Sequence, residues 1–124
     1  MAMNILDVLL KNEPPKAEKK REYKIKRLSE AWNTDVVLEL KALGYNRVAE
    51  IKEMKDEEIP IHIILAGETT GVFKNKELME KYGVPTPTEL VKKILSAGEI
   101  EEISKQIEVL SGYRTKTIEE IKKK

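Results

Sequence analysis

Two helix-start signatures lie ten residues apart, Thr86-Pro87-Thr88-Glu89 and Ser96-Ala97-Gly98-Glu99. In each, a hydroxyl residue is followed three positions later by a glutamate, so side chain and backbone can satisfy each other's free N–H groups. Pro87 suits the first helical position, where no N–H is needed. Behind the first box Leu90, Val91, Ile94 and Leu95 fall on one face; behind the second come Ile100, Ile103, Ile107 and Leu110. Two phased amphipathic helices joined by a short turn must pack their apolar faces on something. That commits the second half of the chain to a helical core.

The first half changes period. Asn4 to Lys11 carries Ile5, Leu6, Val8, Leu9 and Leu10 as a broad helical stripe, ended by Pro14-Pro15 and a charged linker, Lys16 to Glu22. Tyr23 and Ile25 alternate with Lys24 and Lys26. Val36, Leu38, Leu40 and Ala42 alternate with Glu39 and Lys41 within Asp35–Leu43. Such period-two patterning predicts two antiparallel strands, each with one wet face, joined by a loop carrying Trp32. After Gly44 the helical period returns. Asn46 is a cap before Val48, Ile51 and Met54. Asp56 is a cap before Ile61, Ile64 and Leu65, with Pro60 in the first turn and the end at Gly67. Asn75 caps Leu78, Met79 and Tyr82, which Gly83 stops. Gly98 relaxes the joint before the last long helix and Gly112 closes it; Thr117 opens a third, weakly backed box. The expected fold is α+β and mainly α-helical: a small antiparallel β-hairpin followed by a cluster of about five helices. Residues 1–22 form an apolar segment and charged linker, 23–113 the domain, and 114–124 a charged tail.

With 124 residues the chain suits one domain with a modest core, and with aromatics at 5% that core is aliphatic. Lys plus Arg number 23 against 22 Asp plus Glu, so no overall field draws it to nucleic acid or membrane. No cysteine is present, which removes disulfides, thiolate metal sites and thiol nucleophiles. The longest apolar run, Ile59 to Ala66, is too short to span a bilayer, and no signal-peptide pattern opens the chain, so a cytosolic protein is expected.

No catalytic, cofactor or metal residue is assigned. Glu99, Glu101 and Glu102 do not read as a metal site: residues one and two apart point away from each other, Glu99 and Glu102 share a face but no histidine stands nearby to complete a ligand set, and all three suit a helix's first turn. His62 is the only histidine, in an apolar run with no identifiable base partner, and reads as a core or helix-surface residue. The locally basic segment 16–27 admits two readings: a solvated linker with a lysine-guarded edge strand, or a nucleic-acid contact. The detached stripe from Ile5 to Leu10 either packs back on its own domain or enters a partner's groove.

Arg27-Leu28-Ser29, "DVVLELKAL" (35–43) and "YGVPTPTELVKKILSAGEIEEISKQIEVLSGY" (82–113) together resemble the XkdN-like tail assembly chaperones of tailed phages and prophages. The most specific matches are Gly83, Thr86-Pro87, Glu89-Leu90-Val91, Leu95, Gly98-Glu99-Ile100 and Leu110-Ser111-Gly112-Tyr113. The resemblance implies a non-enzymatic protein without cofactors, made in the host bacterial cytoplasm and not retained in the virion. It implies binding of the tape measure protein, kept soluble while tail tube subunits assemble, with the tail tube protein as a further partner; the expectation of self-association rests instead on the edge strand and the detached helix. Neither membrane nor nucleic acid is expected as a partner; a small phage nucleic-acid-binding or regulatory protein is the alternative. Ile5, Leu9 and Leu10 are the candidate partner contacts, with Ile103, Ile107 and Leu110 as core positions beside which a groove is sought. Lys122-Lys123-Lys124 raises the question of a frameshifted longer form.

Overall fold

In the computed structural model, residues 4–15, 19–54, 57–113 and 116–121 are described. Two strands, β1 (Lys20–Lys24) and β2 (Val37–Lys41), pair antiparallel with Tyr23 opposite Leu38 and Lys20 opposite Lys41. Leu38 and Leu40 point inward and Val37 outward, as the alternation requires. The first strand begins earlier than the Tyr23–Lys26 pattern suggests, and the connection is not a loop. It holds a helix, α2 (Lys26–Trp32), with Leu28 and Ser29 buried. Asn33 ends α2 in the left-handed region at φ 51°, its N–H donating to the Ser29 carbonyl. The Ser29 hydroxyl accepts the Val36 N–H at 2.9 Å, which turns the chain back into the second strand. The other edge of β2 is partly occupied: Glu68 bridges Leu40, and the Thr69 N–H donates to the Glu39 carbonyl at 3.0 Å.

The remaining helices follow the caps closely. Helix α3 (Tyr45–Glu53) starts one residue before Asn46, with Gly44 in the cap position; Val48 and Ile51 are buried, while Met54 lies beyond the helix and is exposed. Asp56 lies outside the described residues, and α4 (Ile59–Gly67) opens at Glu58 with Pro60 in its first turn. A 3-10 turn (Val72–Lys74) leads to α5 (Lys76–Tyr82), capped by the Asn75 side chain, which accepts the Leu78 N–H, and closed by Gly83 at φ 66°. In α6 (Pro87–Ile94) Thr86 accepts the Glu89 N–H, while the Glu89 carboxylate turns to Lys92 at 3.3 Å. In α7 (Ala97–Leu110) the box is complete: Ser96 Oγ accepts the Glu99 N–H and Glu99 accepts the Ser96 N–H. Gly98 sits inside the first turn of α7, so the joint is Leu95-Ser96 alone, with Leu95 buried. Residues 116–121, including the Thr117 box, are not helical, and Lys122-Lys123-Lys124 lies outside the described residues. With only Ile118 and Ile121 behind it, and both about 85% exposed or more, that box has no apolar face to bury.

The core is aliphatic. Leu40, Ile51, Ile63, Ile64, Leu90, Val91 and Ile107 are fully buried, joined by Phe73 as the one buried phenylalanine. Helix α4 is apolar nearly all round, and α7 packs along it. Ser111 fastens the end of α7 to the sheet by accepting the Leu43 N–H at 2.8 Å and donating to the Ile107 carbonyl at 2.7 Å. Lys52 adds a contact with the Tyr113 ring at 4.9 Å. Sequence patterning did not reveal Glu68, a buried carboxylate that organises the loop after α4. It accepts the Thr70 hydroxyl at 2.7 Å and the Gly71 N–H at 2.8 Å.

Candidate partner-binding surfaces

Helix α1 (Ile5–Lys11) is well formed at its start, where the Asn4 side chain accepts the Asp7 N–H at 2.9 Å, yet it buries none of its residues. Ile5 is 71% exposed, Leu6 61%, Leu9 66% and Leu10 74%. Asp7 and Lys11 are four residues apart on a single polar stripe, so apolar side chains occupy most of the circumference. A seven-residue helix is marginal alone in water, and each large aliphatic side chain that finds cover is worth roughly 1.5–3 kcal/mol.

A cleft of about 330 Å³ runs between the strand pair and α7. Its floor is Tyr23, Ile25, Leu38, Leu40 and Ile103; its rim is charged, with Lys24, Lys26, Arg27, Glu99 and Glu102. Ile103 therefore borders a groove. Ile107 is fully buried against α4, and Leu110 is half-buried against the core, so neither opens onto it.

The rim is held by Arg27 and Glu99. Arg27 Nε and Nη2 donate to the two Glu99 oxygens at 3.1 and 2.9 Å, and Nη2 also donates to the Ile94 carbonyl at 2.8 Å. One carboxylate thus completes a helix cap and locks α2 to the α6–α7 joint. The Arg27 hydrogen bond, seconded by the Ser96 N–H and opposed by partial burial, lowers the Glu99 pKa below its ordinary 4.5. A lowered folded pKa contributes stability that is fully present above pH 4.5 and lost as pH falls through the folded value. Glu99→Gln keeps a cap acceptor but loses the charge. It should lower the thermal midpoint at neutral pH and flatten the acid decline that sets in below about pH 4.5; an unchanged acid profile would count against the pair.

Two cations of the basic segment are paired. Lys24 pairs with Asp35 at 3.2 Å and Arg27 with Glu99; Lys16 lies outside the described residues. His62 is half-buried on α4 between buried Ile61 and Ile63. Among the described residues no His, Cys, Asp or Glu cluster is placed to hold a metal, and no helix is long and apolar enough to cross a membrane.

Sequence patterning missed a second, more apolar groove of about 490 Å³. Leu28 and Trp32 of α2, Val36, Val72, and Leu78 and Tyr82 of α5 line it, and Lys81 is its one charged lining residue. The αL-prone Asn33 after Trp32 was the available signal for the helix that builds this wall.

Fold and surfaces together define a small α+β helical domain that presents an unpartnered apolar helix and two apolar-floored grooves. The chain belongs to the phage XkdN-like tail assembly chaperones, whose family profile matches residues 6–123. Comparison with curated protein sequences gave no match. The fold is similar to the crystal structure of the protein yqbn, with a TM-score of 0.64 at 21% identity, covering 91% of this chain and 99% of that one.

Proposed function

We propose that this tail assembly chaperone binds the tape measure protein and keeps its apolar helical stretches soluble until tail tube subunits enclose them. The observation that carries the reading is α1, whose large aliphatic side chains lie outside the domain's core and are exposed in the structure. Such a face is stable only when something covers it, and an amphipathic helix of a client supplies matching apolar area. Residues 1–22 then act as a recognition arm on the 23–113 domain, with Ile5, Leu9 and Leu10 as contacts. Ile103 offers the hairpin–α7 cleft as a second contact, backed from the core by Ile107 and Leu110. The activity requires no bond making and no cofactor. It belongs in the host cytoplasm during assembly, and the chaperone leaves before the virion is finished.

Co-expression tests this directly. The tape measure protein of the same phage should move from the insoluble to the soluble fraction when this chain is present, and the two should co-purify. A tape measure protein equally insoluble with and without the chain would sink the proposal.

A further inference from the structure

We infer that in the free protein α1 docks in its own chain's Trp32 groove, as a tethered cover that the client later displaces. The structure holds α1 with all its residues exposed and the groove open, and each presents what the other lacks. A helix apolar over most of its circumference cannot be covered by a flat surface; it needs two walls. The groove supplies them, with Trp32 and Leu28 on α2 and Leu78 and Tyr82 on α5. Charge agrees as well. Lys81 is the groove's one charged lining residue and Asp7 is the one acidic residue of α1.

Reach selects the same chain over a second copy. Residues 12–19 separate α1 from β1 and span up to about 26–29 Å when extended. From Lys20 to Ile25, at the groove's edge, is roughly 17 Å of strand. The tether therefore covers the distance and sets an effective concentration on the order of millimolar, well above that of a second copy in dilute solution. Docking hides the aliphatic face that would otherwise make the chaperone itself stick.

Trp32 is the only tryptophan of the chain, so its fluorescence reports on the groove without any partner present. In the full chain, Leu9→Ser with Leu10→Ser should shift Trp32 emission to the red and raise its acrylamide quenching constant roughly twofold, as the ring loses its cover. Lys81→Asp should have the same effect, and adding Asp7→Lys to it should restore the native emission. Both changes should be independent of protein concentration. Emission indifferent to all of these substitutions overturns the inference, and so does a wild-type signal that appears only on raising the concentration, because that assigns the groove to a second copy. Since no tape measure protein is used, this outcome is separate from that of the co-expression test.

Discussion

Leu9→Ser combined with Leu10→Ser lowers affinity for a tape measure fragment by roughly tenfold or more while lowering the thermal midpoint of the domain by no more than a few degrees. Each leucine buried against a client contributes about 1.5–3 kcal/mol, less what its cover in the free protein contributes, so the pair accounts for about one decade of affinity or more. The loss is net, because the serines also remove whatever cover the face has in the free protein. Stability is spared for a specific reason: Leu9 and Leu10 are 66% and 74% exposed and stand outside the aliphatic core. Titration calorimetry together with a melting scan reads both quantities. A small fall in the midpoint is the loss of the α1 cover, whereas a fall of about 10 °C or more would place the two leucines in the core. Full affinity at an unchanged midpoint would remove α1 from recognition.

The second half of the fold was legible because its signals are local and redundant. Thr86, Ser96 and Asn75 each cap a helix whose apolar spacing agrees with the cap, and Gly83 takes the left-handed conformation needed to end one. Helix α2 was not legible. Tyr23, Ile25 and the lysines between them alternate at strand period, and only Leu28 and Ser29 of Lys26–Trp32 turn inward. A helix of two turns with two buried positions leaves almost no periodic trace; its tertiary contacts hold it, the burial of Leu28 in the core and the Arg27–Glu99 pair reaching across the sequence. Gly98 failed in the opposite way. A glycine two residues after a capping serine reads as a joint, but a Cβ there would meet nothing within 4 Å, so the helix simply includes it.

The binding surfaces divide along the same line. The apolar excess of α1 is a property of one short run of consecutive residues and could be read directly. The two grooves are assembled from β1, α2, β2, α5 and α7, whose proximity no single segment encodes. Ile107 illustrates the limit. Its spacing within α7 is shared with Ile103, but Ile103 borders the hairpin cleft while Ile107 faces Gly67 of α4. Which of two equivalent isoleucines meets open space depends on the neighbouring helix.

That neighbour makes Gly67 the most sensitive small residue in the core. Gly67 ends α4, as expected of a glycine, but its lack of a side chain serves packing. A Cβ placed on it would lie 2.7 Å from Ile107 Cδ1, 2.8 Å from Cγ2 and 3.0 Å from Cγ1. Real carbons do not approach so closely, and Ile107, fully buried and stiff as a β-branched side chain, has little room to give way. Gly67→Ala should therefore cost about 1–3 kcal/mol through overpacking, despite alanine's better helix propensity, and lower the thermal midpoint by roughly 5–10 °C. Ile107→Ala alone should cost about 2–5 kcal/mol through the cavity it leaves. Together the two changes should not add. Ile107→Ala removes all three clashing atoms, and the methyl introduced at position 67 partly refills the space they vacate. The double variant should then be no less stable than Ile107→Ala alone, so the coupling in a double-mutant cycle by denaturant unfolding should at least equal the cost of Gly67→Ala, about 1–3 kcal/mol. Simple additivity would mean that α4 and α7 do not meet at this point, and the packing that positions Ile103 at the cleft would have to be redrawn.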